Sequence, residues 1–316
     1  MRPVYRWSLR SRSLELGKRT LIMGVVNATP DSFSDGGLYF DADKAVEHAL
    51  RLLDEGADIV DVGGESTRPG AEVKPTASEA GSPETRRSPS SEPSTMSRTG
   101  AVAENEELAR VIPVIKMLKQ KRSDAVISVD TYKSTVARVA VNEGAEIVND
   151  VSGFRWDPYM AKTIAELKCG GVLMHMRGRP EEWRTLPPIG DPVLLVKREL
   201  RQWADTAVLA GIKRERLTLD PGFGFGKKFD ENFPLLARFD EFQSLGFPMV
   251  AGTSRKSFIG RTLARNGKDA LPQERTYGTV ATETALILKG AHIIRTHDVR
   301  AGVEAARIAD AILAAA

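Results

Sequence analysis

The chain carries one cysteine, Cys169, in 316 residues. A single thiol excludes an internal disulfide framework and fits a reducing compartment. No apolar run approaches the ~18 residues of a membrane span. The basic start MRPVYRWSLRSRS lacks the apolar centre of a secretory signal. A cytoplasmic chain with no membrane partner is therefore expected. No HExxH, CxxC or paired His/Cys spacing is present, so nothing indicates a tightly held transition metal. The Gly-x-Gly-x-x-Gly turn of a doubly wound dinucleotide fold is missing after the first strand-like run. The net charge is only +3, with lysines and arginines scattered, which argues against nucleic acid as the partner.

What the sequence does have is a repeat of short apolar runs. They are Leu21–Val26, Ile59–Val62, Ala125–Val129, Ile147–Val148, Gly171–Met174, Leu217–Leu219, Pro248–Ala251 and Ile293–Ile294. Each is too short for a helix and rich in Ile, Val or Leu, as a strand buried on both faces should be. Amphipathic stretches lie between them: 42–55, 106–119, 134–143, 159–167, 193–210, 233–245, 279–289 and 303–313. Pro113 should kink the second of these. Eight strand–helix alternations predict an α/β fold, a TIM (β/α)8 barrel forming a single domain over residues 1–316.

One segment breaks the rhythm. From Ala71 to Ala103 there is no Leu, Ile, Phe, Tyr or Trp. Such a stretch buries too little apolar surface to offset the entropy of ordering. It is expected to be a disordered insertion after the second strand, hanging in solvent without a role of its own.

Active sites of such barrels sit at the C-terminal ends of the strands. All eight ends here carry polar groups: Asn27; 64–70 (GESTRPG); Asp130; Asn149 and Asp150; His175; Asp220; 253–256 (TSRK); and 295–298 (RTHD). Arg68, Arg255, Lys256, Arg295 and His297 form a cationic sector suited to phosphate. Arg295 and His297, two apart on one strand, share a face. Asp130, Asn149 and Asp220 form an acidic sector suited to a flat heterocycle with adjacent N–H donors. Taken singly, Asp130, Asp220 or Arg295 is as readily a barrel-mouth salt-bridge residue. His175, between two methionines, reads as a packed wall residue rather than an acid–base catalyst, and Cys169 as inert. DPGFGFGK (220–227) lacks the K-[ST] of a P-loop. Its glycines read instead as letting the backbone turn tightly beside Phe223 and Phe225.

Eight motifs, NATPDSFSDGG (27–37), GGESTRPGA (63–71), SVDTYK (128–133), NDVSG (149–153), MHMRGRP (174–180), LDPGFGFGK (219–227), GTSRKSFIG (252–260) and RTHDV (295–299), closely resemble bacterial dihydropteroate synthases. The resemblance covers nearly the whole chain outside 71–103. It implies a barrel, commonly homodimeric and a sulfonamide target. Its members join 6-hydroxymethyl-7,8-dihydropterin diphosphate to para-aminobenzoate in folate biosynthesis. By this resemblance Asp130, Asn149, Asp220 and Lys256 hold the pterin. Arg295, His297 and Asn27 take the diphosphate, Asn27 through Mg²⁺. Phe33, Thr67, Arg68, Pro69, Phe225 and Ser254 surround para-aminobenzoate. Asp130, Asp220, Lys256, Arg295 and His297 are the expected catalytic set. Ala28 and Trp183 depart slightly from the expected pattern.

Two rivals remain. A pterin-dependent methyltransferase barrel would share the acidic pocket but would have no use for SRKS, RTHDV or Asn27. A catalytically silent pterin-binding paralogue should have lost ligands, and none is visibly lost.

Overall fold

The computed structural model describes residues 2–29, 42–65 and 102–315. Phe33, Thr67, Arg68, Pro69 and the inserted stretch through Ala101 lie outside the described residues. A short hairpin comes first, β1 (Tyr5–Ser8) paired antiparallel with β2 (Ser13–Leu16). Eight parallel strands follow: β3 (Leu21–Asn27), β4 (Ile59–Gly63), β5 (Ile127–Asp130), β6 (Ile147–Asp150), β7 (Gly170–Met174), β8 (Leu217–Asp220), β9 (Val250–Ala251) and β10 (Ile293–Thr296). Their order is β8-β7-β6-β5-β4-β3-β10-β9, and a parallel bridge between Leu219 and Met249 closes the ring. All eight predicted strands are present. They are buried along almost their whole length because helices cover the outside and side chains fill the inside.

Nine described α-helices accompany the strands: α1 (Ala42–Asp54), α2 (Glu104–Lys121), α3 (Ser134–Asn142), α4 (Met160–Leu167), α5 (Pro192–Leu209), α6 (Asn232–Ala237), α7 (Ser257–Thr262), α8 (Thr276–Leu288) and α9 (Val299–Ala315). The helix α2 runs unbroken through Pro113. The predicted stretch 233–245 divides into α6 and a 3₁₀ segment, Phe239–Leu245, that ends on left-handed Gly246. Sequence polarity hid two elements, the hairpin and α7. The start of α5 is set by Asp191, which accepts from the N–H groups of Val193 and Leu194 while Pro192 opens the helix.

The hairpin plugs the bottom of the barrel. Trp7, Leu9 and Leu16 pack against Leu21, Met23, Ile59, Val126, Ile147, Val172, Val250 and Ile293, a layer drawn from around the ring. Trp7 is 1% exposed, and its indole N–H donates to the Arg216 carbonyl at 2.9 Å. This interior layer is apolar, and the buried polar groups at that end, Arg2, Thr20, Glu146 and His292, lie around it at the strand starts. Trp7→Ala is expected to cost ~3–5 kcal/mol in urea unfolding while leaving ligand affinities at the mouth unchanged.

Candidate active site

The mouth is organised around Asp61, a carboxylate inside the apolar strand β4 and fully buried. Its Oδ2 accepts from Arg295 Nε at 2.7 Å and from Asn149 Nδ2 at 2.9 Å. Arg295 extends a second arm, Nη2, to Asp130 Oδ2 at 2.8 Å. The sequence suggested separate cationic and acidic sectors. Here they interlock, because the guanidinium fork of Arg295 reaches from β10 past β3 to the acids on β4 and β5.

Asp130 and Asn149 are register partners on β5 and β6, and Asp220 ends β8. Asp220 Oδ1 accepts the Gly222 N–H at 2.6 Å. Burial pushes the Asp220 carboxyl up to about 6 against that hydrogen bond and the nearby Lys256. Burial likewise pushes Asp130 up to about 7 against the pull of Arg295. Lys256, at the start of α7, stands 3.8 Å from the Phe225 ring centroid. Burial, reinforced by Arg295, lowers its ammonium to about 7. Phe225 in turn meets Trp183 edge-on, so an aromatic and cationic wall faces the acids.

The loop 220–227 turns as its glycines suggested. Gly222 and Gly226 have positive φ, and an added Cβ would lie 2.0 Å from the His175 carbonyl oxygen and 2.1 Å from that of Arg177. Lys227 is no phosphate ligand. Its Nζ donates to the carbonyls of His175, Gly222 and Phe225, stapling the loop to the end of β7.

On the anion side, His297 Nδ1 lies 3.0 Å from Ser254 Oγ, and the His297 N–H donates to that same oxygen. Arg255 is paired through two contacts with Asp298, so its charge is locally compensated. Asn27 ends β3 half-buried. It borders, with His297 and Arg255, a cavity of about 1000 Å³ between α1 and α9. Among the described residues no group of three or more His, Cys, Asp or Glu stands together to hold a metal. His175 is the wall residue expected. It is fully buried, stacked at 4.9 Å on Trp203, bonded to Glu199 at 3.0 Å and pushed down to about 3 by burial. Cys169 is buried and pushed up to about 12 by desolvation, which fits an inert thiol.

The family model of pterin binding enzymes matches residues 23–81 and 92–297. A dihydropteroate synthase of Clostridium beijerinckii is 40% identical over 305 residues, 96% of this chain and 98% of that protein. The chain belongs to the dihydropteroate synthase family. Among solved structures, Xanthomonas albilineans dihydropteroate synthase with 4-aminobenzoic acid matches with TM-score 0.81 and 40% identity, covering 99% of both chains. A Yersinia pestis dihydropteroate synthase with a sulfonamide drug matches with TM-score 0.82 and 37% identity, over 98% of this chain and 100% of that one.

Within the family site, a buried ionic knot escaped sequence reasoning. Lys133 Nζ donates to Glu65 at 2.5 Å and also to Glu107. Glu65 further accepts from the Tyr132 hydroxyl at 3.2 Å and from the Val102 N–H at 3.3 Å. Lys133 lies in SVDTYK and Glu65 in GGESTRPGA, so the signal was in both motifs, but not their meeting in space. Lys133→Met would leave two buried carboxylates uncompensated. It is expected to lower stability by ~3–5 kcal/mol in denaturant titration.

Proposed function

We propose that the chain works as a dihydropteroate synthase through this barrel mouth. It joins 6-hydroxymethyl-7,8-dihydropterin diphosphate to para-aminobenzoate, giving 7,8-dihydropteroate and diphosphate in folate biosynthesis. The observation that carries the assignment is the grouping of Asp130, Asn149 and Asp220 opposite Lys256 and Phe225. Two carboxylates and an amide at the ends of β5, β6 and β8 suit the N–H edge of a pterin, and Lys256 over Phe225 supplies a cation and a flat wall. Arg295 and His297 take the diphosphate as its charge grows. Ser254 orients His297 and borders the amine substrate with Phe225; Phe33, Thr67, Arg68 and Pro69 are assigned to that substrate by family resemblance.

In the proposed sequence, the bond between the exocyclic methylene and the diphosphate oxygen breaks first, and its electron pair leaves with the diphosphate. The pterin ring shares the positive charge that results, favoured by Asp130 and Asp220. The amine nitrogen then bonds to the methylene carbon and releases its proton to solvent. No covalent enzyme intermediate forms. Asn27, whose amide oxygen is a hard donor at the end of β3, would hold the Mg²⁺ carried by the diphosphate. When bound, the ion offsets charge on the leaving oxygens.

The experiment supplies the pterin diphosphate and Mg²⁺, with and without para-aminobenzoate, and follows diphosphate and dihydropteroate together. Coupled formation of both products is expected, with some diphosphate released when the amine is omitted. Pterin binding without condensation would overturn the enzymatic reading, and release strictly dependent on amine would overturn the order of bond changes.

Its pH dependence follows from the perturbed groups. The Asp220 carboxyl is raised to about 6, so its contribution to folding is complete below the ordinary carboxylate range and lost as pH climbs through about 6. Ring binding needs Asp220 and Asp130 ionised, so kcat/KM should climb from about pH 6 through about 7 and fall above that as Lys256 loses its proton. Asp220→Asn should leave the part of the acid limb near 7 that Asp130 sets.

We also assign a homodimer and a cytoplasmic location. Supporting the dimer, α8 is apolar on most of its circumference, and Tyr277, Leu288, Ile308 and Ile312 are exposed across α8 and α9, Tyr277 at 89%. Sedimentation equilibrium at micromolar chain should give twice the chain mass; a monomer there would refute the assembly. No described helix is long and apolar enough to cross a membrane, and the buried Cys169 suits a reducing compartment.

A further inference from the structure

Asp61 is assigned to neither substrate, while both its partners, Asn149 and Arg295, are. We propose that it is a positioning residue that sets the polarity of the ring pocket, by fixing which way the Asn149 amide faces and where the Arg295 guanidinium rests. The inference rests on the pterin assignment of this site.

A carboxylate can only accept hydrogen bonds, so only the nitrogen end of the Asn149 amide satisfies it. The 2.9 Å contact from Asn149 Nδ2 to Asp61 Oδ2 therefore leaves the amide one orientation, with the oxygen on the side away from Asp61. That oxygen joins the carboxylates of Asp130 and Asp220 as a third acceptor, which matches a ring edge made of N–H donors. The same Oδ2 receives Arg295 Nε at 2.7 Å, so one atom on β4 couples β6 to β10 across the strands between them.

A purely structural reading of Asp61 fits poorly. Its Oδ1 is buried and has no hydrogen-bond partner among the described residues. Its register neighbour on β5, Ser128, is equally buried, with Oγ also unpartnered. A residue kept only for stability would be apolar or fully satisfied, because half-satisfied buried carboxylates are costly. Asp61 is better explained by the two groups it holds.

Isosteric exchange tests this. Asp61→Asn removes the acceptor-only character and lets the Asn149 amide turn over. Asn149→Asp alone places two carboxylates against each other. The double variant D61N/N149D restores a donor–acceptor pair. The new amide nitrogen takes the Oδ2 place and donates to the carboxylate at 149, which still offers oxygen to the ring. The Arg295 contact that shared that atom is not restored, so the exchange reads the orientation of position 149 and not the resting place of Arg295. Calorimetric titration with 6-hydroxymethylpterin, beside thermal melting of each protein, reads both affinity and fold. Each single variant should bind more than tenfold more weakly than wild type, and the double variant should return to within about threefold.

Wild-type affinity in a folded Asp61→Asn variant would overturn the inference, as would a double variant no better than the singles. If the singles do not fold, the double variant alone decides: affinity within threefold of wild type supports the inference, and a folded double variant that has lost the ring overturns it. A wild-type protein that fails to bind the pterin would overturn the site assignment and this inference with it. Binding that persists in wild type but ignores the exchange overturns the inference alone.

Discussion

The desolvation of carboxylates is the constraint on which the barrel mouth depends. Asp61 within β4 and Asp130, Asp150 and Asp220 at the ends of β5, β6 and β8 stand in the upper barrel, three of them at most 5% exposed. An isolated ionised carboxylate there would cost many kcal/mol, so each must find donors or take up a proton. They solve this differently. Asp150 accepts the N–H groups of Ser152 and Phe154, and closes a turn in which Phe154 adopts positive φ. Asp220 accepts one backbone N–H, from Gly222. Asp61 accepts two side-chain donors, and Asp130 has Arg295. The acids of the candidate pocket are thus incompletely compensated, which is the condition under which the proposed donor-rich ring would complete them.

This ordering explains the choice of cations. Arg295 keeps its charge at any working pH and offers donors along two directions of one plane, so it can bridge Asp61 and Asp130 at once. Lysine could not span both with fixed geometry. Lys256 has the opposite task. Its single ammonium, lowered to about 7 by burial, lies over Phe225 rather than on a carboxylate. A charge held loosely in this way can be matched to a ligand, whereas Lys227, surrounded by three carbonyls, is committed to its loop.

The barrel was legible because eight Ile-, Val- and Leu-rich runs, too short for buried helices, alternate with amphipathic stretches. The placement of the candidate residues was legible to the level of strand ends: Asp130, Asn149, Asp220, Lys256, Arg295 and His297 all lie at the mouth. What spacing could not supply is the direction in which a long side chain turns. Arg295 and His297 share a strand, yet Arg295 engages the acids while His297 meets Ser254. Asp61 was overlooked because an acid inside IVDVG reads as an interruption of a strand, and only its partners on β6 and β10 reveal its use. The hairpin was missed for a related reason. YRWS and SLEL are short and half polar, and they become ordered by covering the barrel floor rather than by their own propensity.

The same logic accounts for how the fold tolerates a long stretch after β4. Glu65 ends the described chain on one side, and Val102 resumes it on the other. The Val102 N–H donates directly to the Glu65 carboxylate, which Lys133 and Tyr132 also hold. Val102 is itself buried, and the next turn of α2 supplies Glu107 to the same lysine. Both ends of the excursion are therefore fixed by one desolvated knot, whatever lies between them. Under that condition added length acts mainly through loop-closure entropy, about 0.6 kcal/mol for each doubling. A single buried charged contact outweighs that. The strand end that feeds the site thus stays where the barrel places it.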